Sequence, residues 1–176
     1  MPQFSIKPLA DEPGIRSALS ELLIETVASG GSVSFMHPLS PDDADAFWQD
    51  SLGAAARGER IVLGAFTDND LIGTVTLLLK LPPNQPHRAE IAKMMTRVAH
   101  RHRGVATELM RTAEQLAIAH GRTLLVLDTA AEDGAAPLYE RLGFQLTGLI
   151  PDYALKPNGG LTGTMIYWKR IGAAAA

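Results

Sequence analysis

The chain has 176 residues, a length that suits one domain whose core buries about 70% of its unfolded surface. With 46% apolar residues, 20% charged residues and a formal net charge of −3, it is neither a disordered polyelectrolyte nor a collagen-like repeat. The lack of cysteine removes disulfide frameworks, thiolate metal sites, iron–sulfur clusters and thiol nucleophiles together.

The opening MPQFSIKPLADEPG carries no basic-then-apolar leader, and no stretch approaches the ~20 apolar residues of a membrane span. A cytoplasmic chain with no membrane partner is expected. No repeat or linker divides the sequence, so residues 1–172 are expected to form one domain and the alanine run 173–176 a disordered tail. Residues 4–8 alternate weakly, as a short strand does. A helix over 11–29 follows, with Ile15, Leu19, Leu22, Leu23 and Val27 at helical spacing until Gly30 and Gly31 stop it. The loop SVSFMHPLS leads to a second helix, opened by Pro41, Asp42 and Asp43 and running to about Arg57.

From Arg60 the period becomes strand-like. Residues 61–66, a turn at Asp68-Asn69-Asp70 and residues 71–81 predict an antiparallel hairpin. Beyond Pro82, Pro83 and Pro86, a third strand covers RAEIAKMMT, where the mid-strand charge of Glu90 asks for a reason. HRHRG then opens a helix with Val105, Leu109, Ala113, Leu116 and Ala117 on one face, ending at Gly121. The apolar run 124–127, closed by Asp128, suits a strand covered on both faces. A short helix over 136–142 tolerates Pro137 in its first turn, and strands at 144–150 and 164–168 complete the order β, α, α, β, β, β, α, β, α, β, β.

The strand-to-helix junction Arg101-His102-Arg103-Gly104-Val105-Ala106-Thr107 has the makings of an anion site. Unpaired N–H groups of a helix start face the ligand, Gly104 and Ala106 let a diphosphate approach the main chain, and Arg101 and Arg103 add cations. The same basic residues could equally solvate a loop. Neither G-x-x-x-x-G-K-[ST] nor G-x-G-x-x-G occurs, which argues against nucleoside triphosphate chemistry. His100-x-His102 has no third ligand at a sensible spacing and sits among arginines, so no metal is expected. An acidic pI near 5.9 and the lack of an aromatic platform argue against nucleic acid as a partner.

The strand, the R-x-x-G-x-A turn with its helix, the next strand and the string A-x-L-Y-x-R-L-G-F around Tyr139 together resemble the GNAT superfamily of acyl-CoA-dependent N-acetyltransferases over about residues 60–169. Glu21 to Val27, Gly31 to Met36, Asp128-Thr129 and Ile150-Pro151-Asp152-Tyr153-Ala154 are similar to the tabtoxin resistance proteins within it. The resemblance implies a three-layer α/β fold: a central, mostly antiparallel mixed sheet with helices on both faces. It also implies a single acetyltransferase domain, acetyl-CoA as cosubstrate and a small amino-acid-like amine as acceptor. Met95, Thr96 and Val98 would pair with the pantetheine arm, and Arg101, Arg103, Gly104, Val105, Ala106 and Thr107 would cradle the pyrophosphate. Asp133, at a place commonly held by Asn, would be a further cofactor contact.

Glu90 is placed as general base on the same strand face as Met94, with a structural ion pair to Arg88 or Lys93 as the alternative. Asp128 would share the proton or merely cap a turn. Tyr139 would assist the departing sulfur, also as a cofactor contact, or else be a core aromatic. Phe35, Met36 and Tyr153 are candidates for an acceptor pocket between the loop joining the first two helices and a loop after Ile150, or for packing. With no nucleophile set, direct attack through a tetrahedral intermediate is expected. A non-catalytic acyl-CoA sensor and a protein or peptide N-acetyltransferase are the rival functions.

Overall fold

Pro13 and Pro41 each stand in the first turn of a helix, α1 (Pro13–Ala28) and α2 (Pro41–Ala56), where a missing N–H leaves no bond unmade. Ser40 caps α2 by accepting from the Asp43 N–H at 3.1 Å. Gly30, with φ of +90°, and Gly31, whose N–H donates to the Thr26 carbonyl, turn the chain out of α1. The structure, a computed structural model, describes residues 4–172, so the expected 173–176 tail lies outside the described residues.

The remaining elements are β1 (Ser5–Pro8), β2 (Arg60–Thr67), β3 (Asp70–Leu78), β4 (Arg88–Thr96), a 3₁₀ turn (Val98–His100), α3 (Val105–Ala119), β5 (Leu124–Ala130), α4 (Ala136–Arg141), β6 (Gln145–Leu155) and β7 (Leu161–Arg170). Seven strands form one sheet in the order β1-β2-β3-β4-β5-β7-β6, antiparallel throughout except between β4 and β5. Both sheet faces are covered. Leu19, Leu22, Leu23, Trp48 and Leu52 of α1 and α2 pack with Val62, Leu71 and Met95 on one side. Val105, Leu109, Met110 and Ala113 of α3 and Tyr139 of α4 pack with Leu63, Ile72, Ile91 and Leu125 on the other. This is the expected mixed sheet with helices on both faces.

Two features set the course of β4. From Thr74 to Thr76 β3 advances two residues while β4 runs three, from Met95 to Ala92, so β4 holds one extra residue, a β-bulge with Lys93 at φ +52°. Alternation therefore reverses: Ile91 packs on the α3 side, whereas Met95, four residues on, packs under α1 and α2. Beyond the bulge, the guanidinium of Arg97 donates to Glu25 Oε2 at 2.9 Å and to the Leu71 carbonyl at 3.0 Å, while Glu25 Oε1 accepts from the Val98 N–H at 2.7 Å. This clasp fixes the end of β4 against α1.

Two segments are longer than the sequence suggests. β6 and β7 extend well past 144–150 and 164–168, because β6 is an edge strand whose unpaired side accommodates Pro151. Two extra residues bulge out of β6 between Ile150 and Ala154, with Asp152 at φ +52°. The loop expected after Ile150 is thus a distorted strand.

α3 lies close to the sheet at Gly73, where an added Cβ would meet Val105 Cγ1 at 2.9 Å and the Met95 carbonyl oxygen at 3.0 Å. Gly73→Ala should cost about 1–3 kcal/mol by overpacking, read from denaturant unfolding; an unchanged midpoint would show that α3 moves freely. Burial opposes the charge of Glu25, but the Val98 N–H and Arg97 outweigh it and hold its pKa below the ordinary 4.5. Its contribution to stability is therefore present above that value and lost as pH falls through the lowered folded pKa. Glu25→Gln should flatten this part of the acid-unfolding curve, with a loss near neutrality of about 1 kcal/mol given its partial exposure.

Candidate active site

β4 and β5 are paired only at Arg88↔Leu124, Ala89↔Leu125 and Glu90↔Val126. Past that point β4 is bonded only to β3, and β5 only to β7, so the facing edges of both strands carry N–H and C=O groups without a ladder partner. The gap between them opens into a cleft of about 960 Å³. Its walls are residues 91–96 of β4, the turn and first residues of α3, Asp128 and Thr129 of β5, the loop before α4 with Tyr139 behind it, and the segment 29–33 after α1.

At one end the chain enters α3 through His102 at φ +60° and Gly104 at φ +83°. A Cβ on Gly104 would touch nothing within 4 Å, so glycine is favoured there by the backbone angle alone. No side chain caps α3, and the first N–H groups of the helix, at the positive end of its dipole, border the cleft at Val105, Ala106 and Thr107. Arg101 also lines the cleft, held near the end of α1 by a 3.3 Å bond to Ser29 Oγ. His100 lines the same wall, and its buried Nδ1 has no partner among the described residues.

At the other end stand Asp128 and Tyr139. The Thr164 hydroxyl lies 3.2 Å from both Asp128 Oδ2 and the Thr129 carbonyl oxygen, so its single proton can go to either. Tyr139 is 5% exposed and stacked edgewise on Phe144. Its phenol is pushed up to about 12, first by burial and then by the negative charges of Asp128 and Asp133, and stays protonated at neutral pH. Asp133 accepts from the Ser32 N–H at 3.0 Å, tying the loop after α1 to the loop before α4 across the cleft mouth.

Ten of the residues singled out from the sequence line this one cleft: Met95, Thr96, Arg101, Gly104, Val105, Ala106, Thr107, Asp128, Asp133 and Tyr139. Others are placed differently. The bulge puts Glu90 and Met94 on opposite faces, and Glu90 sits below the cleft as the ion-pair partner of Arg88, with its side chain 37% exposed rather than buried among apolar neighbours. The Val98 N–H is committed to Glu25, and Arg103 projects into solvent beside the turn. Phe35 packs edge-on against Phe47 at 5.2 Å, while Met36 and Tyr153 are 47% and 58% exposed, and none of the three lines the cleft. Sequence reasoning missed Lys93 as a cleft residue, although a lysine in the middle of an apolar strand was the available signal. Among the described residues, no group of three His, Asp or Glu side chains is placed to hold a metal ion.

The sequence profile of the acetyltransferase (GNAT) family matches residues 24–144. Rat N-acetyltransferase 8F1 is 36% identical over 86 residues, 48% of this chain and 39% of that protein. The chain spans about two fifths of the length of the curated relatives it matches. Ribosomal-protein-alanine N-acetyltransferase from Brucella melitensis superposes with a TM-score of 0.81 at 17% identity, over 95% of this chain and 99% of that one. Salmonella typhimurium yncA, solved with its cofactor acetyl-CoA, superposes with a TM-score of 0.78 at 16% identity, over 99% and 97% of the two chains.

Spectrophotometric titration to about pH 10.5 should give the same amplitude for wild type and Tyr139→Phe, because this phenol ionises only near 12. A smaller amplitude in the variant would place its ionisation within the ordinary tyrosine range.

Proposed function

Because the chain belongs to the acetyltransferase (GNAT) family, we propose that it transfers the acetyl group of acetyl-CoA to the amine of a small amino-acid-like molecule. The observation that carries this reading is the open seam between β4 and β5. The free edge of β4 at Met95 and Thr96 fits the amides of a pantetheine arm, which can add to it as a partial strand. The N–H groups at the start of α3, with Gly104 and Arg101, fit a diphosphate, and Arg103 adds long-range attraction from outside. Val98 can take part only through its carbonyl. Acetyl-CoA would supply the activated acetyl thioester.

The chain's own residues then have separable tasks. An acceptor amine, with a pKa of roughly 8 to 10, arrives protonated and must lose a proton before it attacks the carbonyl directly. Of the carboxylates that line the cleft, Asp133 is engaged by the Ser32 N–H and Glu132 by Lys156, so Asp128 takes that proton; Glu90, ion-paired with Arg88, does not line it. As the new C–N bond forms and the C–S bond breaks, the nitrogen gives its second proton to water and negative charge develops on sulfur. Full protonation of a thiolate of pKa ~8.5 by a phenol near 12 is uphill by about 3.5 units, roughly 5 kcal/mol. Tyr139 therefore acts as a hydrogen-bond donor to the leaving sulfur, which takes its final proton from water. The likeness of residues 21–36 to the tabtoxin resistance proteins favours a small acceptor over a peptide.

Thiol release from acetyl-CoA with a panel of amines tests the activity. Asp128→Asn should lower kcat/KM by about 10²–10⁴ and move the pH profile to the alkaline side, while Glu90→Gln should lose much less. Tyr139→Phe should reduce kcat by about tenfold to a hundredfold with KM nearly unchanged. Acetyl-CoA binding without thiol release across the panel would leave a non-catalytic sensor, and release with peptides alone would make the acceptor a protein.

A further inference from the structure

Lys93 takes no part in this proton and acetyl transfer, yet its position is specified with care. It occupies the bulge of β4 at φ +52°, an angle that bulky side chains rarely adopt, and it lines the cleft beside the loop between α1 and α2. Its Nζ lies 3.2 Å from Ser34 Oγ and 5.7 Å from the centre of the Phe47 ring. Both contacts suit an ammonium, but neither neutralises it. Among the described residues no carboxylate lies within the 4 Å of an ion pair with Lys93, whereas Arg16, Arg57, Arg88, Arg97 and Lys169 all have such partners.

The charges that act on it are Asp128, which favours the ammonium, and Arg60, which opposes it; burial exceeds both and lowers its pKa. Such a cation is stabilised by an anion that enters the cleft. Asp128 has the complementary lack: the Thr164 hydroxyl can donate to it, but among the described residues no cation lies within 4 Å of it. A cation and a carboxylate line one cleft without neutralising each other. A zwitterion, carrying both charges on one small molecule, would complement both.

We propose that Lys93 is the specificity residue of the acceptor site, binding the carboxylate of a free amino acid so that its amine is presented to Asp128. This rests on the acetyltransferase reading for its consequence and on the cleft alone for its binding. The substrate class narrows to free amino acids and close analogues that retain a carboxylate. Simple amines, amino-acid amides and residues within a peptide chain lack the anion at the required place. Arg60, held by Ser51 at 3.3 Å beneath α2, reinforces the preference for an anion without lining the cleft.

The test pairs each L-amino acid with its carboxamide, which keeps the amine and removes the negative charge. Wild type should release thiol with at least one free acid at a kcat/KM tenfold or more above that of its amide. Lys93→Met should erase that ratio mainly by raising KM for the acid, leaving the amide unchanged, and Lys93→Arg should restore part of it. Both replacements keep an unbranched start to the side chain at the strained position, and unaltered acetyl-CoA binding by calorimetry controls for folding. Equal loss for acid and amide, or an amide preferred by wild type, would overturn the proposal. Should no amine release thiol, the transferase reading fails, and calorimetry of the same pairs on the CoA-loaded protein still decides this one. Binding of acids that is lost in Lys93→Met supports it; binding that ignores the carboxylate or the substitution, or no binding of any free acid, overturns it.

Discussion

At Lys93 strand β4 carries one residue more than its partner β3, and the left-handed backbone there reverses which side chains face which helical layer. The strand can no longer run alongside β5, and their parallel ladder stops at Glu90↔Val126. The cleft depends on that interruption. A continuous ladder would satisfy the main-chain groups at 91–96 and close the cleft. The interrupted one leaves them available to a ligand, at a free-energy cost offset by the cores on either face.

Polar connections hold the opening at a fixed width. Arg97 and Glu25 join the end of β4 to α1, and Ser32 meets Asp133 across the mouth. Each is made by a charged group to main chain or to an opposite charge, the stronger kind of hydrogen bond, and each lies between elements distant in sequence. The same contacts remove two main-chain N–H groups from any ligand's reach, those of Val98 and Ser32. The main-chain donors left open in the cleft are those of the β4 edge and the start of α3. Two charged groups of the cleft are left less constrained: Asp128 has a hydroxyl neighbour and Lys93 a hydroxyl and a ring, neither of which cancels a full charge. Stability and function are thus carried by different charges.

Much of the site was legible because its signals are local. The limits of β4 agree with the run RAEIAKMMT, and the turn into α3 is made of neighbours in sequence, though of its two arginines Arg101 alone lines the cleft. Tyr139 was placed by a string of residues on a single short helix. Glu90 was misplaced because strict alternation puts residues 90 and 94 on one face, and the bulge between them cannot be read from residue types. Tyr153, expected by a loop after Ile150, lies instead in β6, an edge strand that accommodates Pro151.

Sequence alone determined the elements and their order, since periodicity, capping and turn residues act over a few positions along the chain. Tertiary structure decided that Asp128 rather than Glu90 lines the cleft, which main-chain donors are already taken and that Lys93 lines the same cavity with no carboxylate within 4 Å among the described residues. Those outcomes depend on strand register and on contacts such as Glu25 with Val98, 73 positions apart, and a register is set by the packing of whole layers rather than by any residue's own preference.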